Sequence, residues 1–178
     1  MSARIEYRIP IILLLLVVVC SPVRAQWTED GVLITTSRDG DYYPRHASDG
    51  GYGAFVVWRR ASGENSDIWS QRIEASGVVA WQPNGVAVCS TSGEQDTPHL
   101  VADGAGGAII VWQDKRLGDH WDIFAQRISP DGNVMWSQDG IALCAVAGDQ
   151  FLSSQCIVPV TSGNVIVAWH DERSGSSS

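Results

Sequence analysis

Three tryptophans set the frame of this chain. Trp27, Trp81 and Trp136 stand 54 and 55 residues apart, and the residues after each of them match. Asp30-Gly31, Asn84-Gly85 and Asp139-Gly140 come next, then Thr35, Cys89 and Cys144. Pro44 corresponds to Pro98, Asp49-Gly50 to Asp103-Gly104, and Gly53-Ala54 to Gly107-Ala108. Trp58, Trp112 and Trp169 share a second register, and Gln71-Arg72-Ile73 returns as Gln126-Arg127-Ile128. One single-residue gap, between Trp58 and Asp67, aligns the first two repeats; the third needs a two-residue insertion before Trp169. A period of this size marks a chain of stacked units, none of which buries its apolar faces alone. Six of the eight tryptophans fill only two repeat positions, which assigns them to the walls between units.

Each unit reads as strand throughout. Gly107 to Trp112 is a continuous apolar, β-branched run bounded by the turn Asp103-Gly-Ala-Gly-Gly107, the pattern of a strand covered on both faces. Val86–Cys89, His99–Ala102 and the more polar Asp122–Ile128 are the other runs, and the last ends at Pro130-Asp131-Gly132. No part of the chain after the leader shows a sustained helical period. The expected fold is all-β: an incomplete β-propeller of four-stranded antiparallel blades, at 27–80, 81–135 and 136–178. The third blade stops at Ser178, where its register reaches Trp121, so about 2.7 blades are present and a longer protein is expected. Gly106 to Arg116 and Asp122 to Ile128 resemble the propeller-type repeats of large secreted bacterial proteins. That resemblance implies further blades and a sorting or adhesion module, and it implies no activity.

The first 25 residues read as an address. Arg4 and Arg8 precede an apolar run from Ile11 to Val19, shorter than the ~20 residues that span a bilayer. Val23 and Ala25 are the small residues of a signal-peptidase site, so cleavage leaves Gln26 first. An uncleaved anchor and a lipoprotein modified at Cys20 are the alternatives. Removing Arg4, Arg8, Arg24 and Glu6 moves the net charge from −8 to −10. Such a chain is ill suited to nucleic acid or anionic lipid. Secretion or cell-surface display is expected, in the periplasm or outside the cell, with no integral membrane segment after cleavage. Cys89, Cys144 and Cys156 then remain in a compartment that permits disulfides. Cys144 and Cys156 are placed on adjacent strands of one blade, where they pair or stay as buried thiols.

The charged residues mostly repeat, as a structural duty requires. Arg72 and Arg127 share one strand position and are expected in blade-to-blade or strand-to-turn ion pairs. Trp-x-Asp-x-Arg recurs at 112–116 and 169–173 and reads as a turn with a surface pair. Ser129 to Trp136 approaches the Asp-box turn of secreted sialidases, with Asp131 and Gly132 adjacent where the box separates them. Asp39-Gly-Asp41 and Asp131-Gly-Asn133 lack a full set of calcium ligands. His46, His99, His120 and His170 lack metal spacing, so neither metal nor cofactor is expected. Sites in repeat proteins gather where units differ, and Asp119-His120-Trp121 is the least repetitive and most aromatic loop. It is the candidate surface for a polysaccharide or protein ligand on a non-catalytic scaffold. The alternative is the N-terminal portion of a secreted glycosidase-like hydrolase whose catalytic residues lie elsewhere.

Overall fold

The computed structural model of the chain describes residues 30–160 and 163–173. The leader with Cys20, Trp27, and the terminal Gly175 and Ser178 lie outside them. The described residues form ten strands and no α-helix. β1 (Asp41–Ser48), β2 (Ala54–Ser62), β3 (Asn65–Ile73) and β4 (Val86–Cys89) make one sheet. β5 (Gln95–Ala102), β6 (Ala108–Asp114), β7 (Asp122–Ile128) and β8 (Ile141–Cys144) make the next. β9 (Gln150–Pro159) pairs with β10 (Val165–Asp171). Every named pair is antiparallel and joins neighbours in sequence, so each sheet is a meander.

The sheets are out of phase with the repeat frame drawn from the tryptophans. Trp81 does not open a sheet: it lies in the connection from β3 to β4, and Val86–Cys89 closes the first sheet. Gln71 holds that connection in place. Its buried side chain accepts from the N–H groups of Arg72 (2.9 Å) and Trp81 (3.0 Å) and donates to the Gln82 carbonyl (2.9 Å). Gln126 repeats this with Arg127, Trp136 and Ser137. A recurring landmark fixes the period of a chain and leaves open where each hydrogen-bonded sheet begins.

That phase also separates two cysteines. Cys144 ends β8 in the second sheet and Cys156 lies on β9 in the third. The placement on adjacent strands of one blade is therefore corrected. Both are buried free thiols in one apolar cluster with Val111, Ile123 and Leu152. Cys89 is likewise buried and free, and burial pushes its pKa up to about 12.

The core lies where sheets face each other. All seven residues of β6 are buried, as a strand covered on both faces requires. Trp112 is fully buried and stacks on Phe124 at 6.3 Å between ring centres. Its six-membered ring covers Gly140: a Cβ there would lie 2.5 Å from Trp112 Cη2, and the backbone adopts φ +91°. Trp58 covers Gly85 in the same manner. Trp81, from the other tryptophan register, serves the contact between units. Trp81 packs against Phe55 in its own sheet and donates its indole N–H to the Pro130 carbonyl of the next (2.9 Å).

Trp112 fills fully enclosed space, so Trp112→Ala is expected to cost about 3–5 kcal/mol. Trp121→Ala, at a half-buried loop position, is expected to cost under about 1 kcal/mol. Urea titration of the two variants checks this; equal losses would place Trp112 outside the core.

Candidate functional site

Most charged side chains prove to be structural. Asp103 Oδ1 accepts from the N–H groups of Ala105 (2.7 Å) and Gly107 (2.8 Å), closing the turn before β6. Its other oxygen meets Arg127 Nη2 at 2.7 Å. Asp49 does the same with Gly51, Gly53 and Arg72. Arg72 and Arg127 therefore make strand-to-turn ion pairs. Burial pushes the Asp103 carboxyl up. The Ala105 N–H, Arg127 and the Gly107 N–H outweigh it and hold the pKa below the ordinary 3.8.

The Trp-x-Asp-x-Arg motif is not a surface pair in the second sheet. Asp114 is fully buried. It accepts from the Trp112 indole (2.7 Å), the Arg116 backbone N–H (2.9 Å) and the Arg116 guanidinium (2.6 Å). Arg116 then reaches the Asp139 carbonyl (2.8 Å) and Cys89 Sγ (3.0 Å), and lies 4.0 Å over the Phe124 ring. The sequence could not show this burial, because a neighbouring strand supplies it. Asp171 and Arg173 repeat the pair with the arginine exposed. In the first sheet Arg60 takes over: it bonds Asp41, Thr35 and the Asn84 carbonyl, and the Trp58 indole N–H has no partner among the described residues.

The loop Asp119-His120-Trp121 joins β6 to β7. Asp119 and His120 are exposed and Trp121 is half-buried. The third sheet anchors this loop. The Trp121 N–H donates to Asp149 Oδ1 (2.8 Å), and the Trp121 carbonyl accepts from the Gln150 N–H (2.7 Å). His120 Nδ1 stands 3.8 Å from the same carboxylate. Lys115 Nζ lies 4.4 Å from the centre of the Trp121 ring, so one ring face already carries a cation. His120 lines a cavity of about 210 Å³ with Leu117, Asp122 and Val146; Asp119 and Trp121 are not among its walls. Asp122 is buried there. Burial, with the Asp114 charge beside it, raises its pKa, and His120 opposes the rise. Among the described residues, no group of three or more His, Cys, Asp or Glu is placed to hold a metal ion.

A second concave region was missed in the sequence. Arg45, His99 and Cys156 line a cavity of about 300 Å³ where β1, β5 and β9 meet. The signal for it was the two-residue insertion of the third repeat, which falls in β9. Three steps on β1 (Tyr42 to Arg45) oppose two on β2 (Arg59 to Val57), and β5 does the same against β6. On β9 five steps (Leu152 to Ile157) oppose two on β10 (Trp169 to Val167). The first strand of each sheet thus carries a bulge, and the third carries the largest.

Comparison with protein-family profiles, with curated proteins and with solved structures gives no match. Among the described residues, no helix is long and apolar enough to cross a membrane.

The Asp103–Arg127 pair gives a pH signature. Asp103→Asn keeps the turn acceptor and loses the ion pair, and is expected to cost about 1.5–3 kcal/mol at pH 7. The folded-state pKa is depressed, so the wild-type advantage is full above the ordinary aspartate value. It declines as pH falls from 3.8 through the lower folded value. Denaturant titrations of both proteins at neutral and acid pH should show the gap closing; a gap independent of pH contradicts the assignment.

Proposed function

We propose that this chain is the exported, non-catalytic part of a β-propeller-type scaffold whose loops bind a polysaccharide or a protein. The reading rests on one observation above others: the carboxylates and arginines that recur from sheet to sheet are spent on turns and sheet contacts. Asp49 and Asp103 close turns, Arg72 and Arg127 clamp them, and Asp114 and Arg116 are walled in. The successive antiparallel sheets and their recurring tryptophans favour blades of a propeller. The export reading draws on the leader pattern at residues 1–25. The 119–121 loop, anchored at its base and exposed at Asp119 and His120, remains for ligand contact. Trp121 offers the ring face away from Lys115, with Asp119 and His120 as hydrogen-bonding groups beside it.

The hydrolase alternative places its catalytic residues outside this segment; a different reading, a hydrolase site within it, draws on Asp122, whose raised pKa beside a cavity suits a general acid. A glycosidase needs a second accessible carboxylate. The neighbouring Asp114 is fully buried and bonded to Trp112 and Arg116. The binding role is therefore preferred.

A glycan and protein array probed with the secreted chain tests the proposal. Binding weakened by Trp121→Ala and unchanged by Arg127→Lys is the expected result. Turnover of a glycoside or peptide by residues 26–178, abolished by one substitution, would overturn it.

A further inference from the structure

The cavity between β1, β5 and β9 brings together groups that the repeat has no structural use for. Counted from their paired strands, Arg45, His99 and Cys156 occupy one position. Arg45 pairs with Val57 and His99 with Val111, and Cys156 precedes Ile157 as His99 precedes Leu100. The Gln71/Gln126 position, by contrast, keeps one residue type. This position holds a cation, an imidazole and a thiol.

Their surroundings share one electrostatic sense. Among the described residues no Asp or Glu lines this cavity, although the chain carries a net charge of −8; Asp96 lines the adjoining one with Arg45. Arg59, Arg60, Arg72, Arg116, Arg127 and Arg173 have acidic partners; Arg45, like Arg38 outside the cavity, has none within ion-pair distance among the described residues. His99 is 5% exposed, and its Nε2 has no hydrogen-bond partner among the described residues. An unpartnered buried polar atom costs about 1–3 kcal/mol and calls for an explanation. Burial, then the Arg45 charge, lowers the His99 pKa, so the ring is neutral at pH 7 and has one N–H to offer. Burial raises the Cys156 thiol to about 11, which keeps it protonated and unreactive. Leu100 and Ile157 supply an apolar wall.

The bulges give this position its direction. Tyr43 and Thr97, each just before a proline, adopt left-handed backbone with φ +53° and +51°. Bulges of this sort re-aim the residues that follow and concentrate beside functional sites. Arg45 and His99 each come two residues later.

We propose that this cavity binds the carboxylate of a small organic acid. The carboxylate meets the Arg45 guanidinium and the acid's apolar body lies against Leu100 and Ile157; His99 Nε2 is sealed from solvent, so its N–H reaches the second oxygen through a turn of the ring toward the cavity. One arginine, the imidazoles of His46 and His99, the uncharged Ser154 and Gln155, and an apolar wall suit a monoanion with a hydrocarbon body better than phosphate. This site is separate from the 119–121 loop, so it stands or falls independently of array binding.

Titration of the full chain with butanoate, followed through the His99 ring resonances by NMR, tests it. A saturable shift is expected, with butanamide and inorganic phosphate giving none at the same concentrations. Arg45→Gln should weaken binding by about tenfold or more, and Arg38→Gln should leave it unchanged. Arg45 is exposed, so its replacement leaves a folded chain, which circular dichroism checks. His99→Gln, followed through Leu100 and Ile157 methyl resonances, should weaken binding as well. No saturable shift, an equal response to butanamide or phosphate, or undiminished affinity in Arg45→Gln would overturn the proposal.

Discussion

A buried carboxylate holds this architecture together. Asp114 is removed from water, and an unpaired ion in that position costs several kcal/mol. It is tolerated because the Trp112 indole, the Arg116 backbone and the Arg116 guanidinium all point at it. These donors fix the Trp112 ring, the turn after β6 and the arginine at once. The arginine then spans to the Asp139 carbonyl of its own sheet and Cys89 of the one before. One polar cluster therefore sets both the shape of a sheet and its contact with its neighbour.

Lesser contacts share the same plan. Asn84 Oδ1 accepts from the Thr36 N–H (2.6 Å), and Asp139 Oδ1 accepts from the Ser90 N–H (2.9 Å). Ser90 follows β4 directly, and in both cases the acceptor is an Asn or Asp held in left-handed backbone. Ser66 reaches across to the Gln95 carbonyl, and the Gln113 side-chain oxygen receives the Leu152 N–H of β9. The contacts become wetter toward the third sheet, where β10 alternates half-buried and exposed residues and Trp169 is only half-buried. The middle sheet has a neighbour on each face and carries the densest core.

The strands were legible because their causes are local. An apolar β-branched run after an Asp-Gly turn names β6 directly, and the repeated Gln-Arg-Ile before a turn marks β7, the strand that holds the next connection. The grouping into sheets was not legible. It depends on which strand Val86–Cys89 pairs with, and a match to Ile141–Cys144 says only that the two are equivalent. The Cys144–Cys156 placement failed for that reason, and the burial of Asp114 escaped notice because its cover comes from another unit. Asp119, His120 and Trp121 stood out as unrepeated residues. Arg45, His99 and Cys156 did not, since their equivalence emerges only after the bulges are counted.

The second sheet, clamped on both faces around Asp114, should be the most stable part of the chain. Native-state hydrogen exchange measures this directly, because amides report the free energy of the smallest opening that exposes them. Amides of β6 and β7 should exchange slowest, those of β2 and β3 next, and those of β9 and β10 fastest by a clear margin. Asp114→Asn should selectively accelerate β6 and the strands it contacts. Equal protection in β6 and β10, or an Asp114→Asn variant with the wild-type pattern, would contradict the claim that this carboxylate organises the fold.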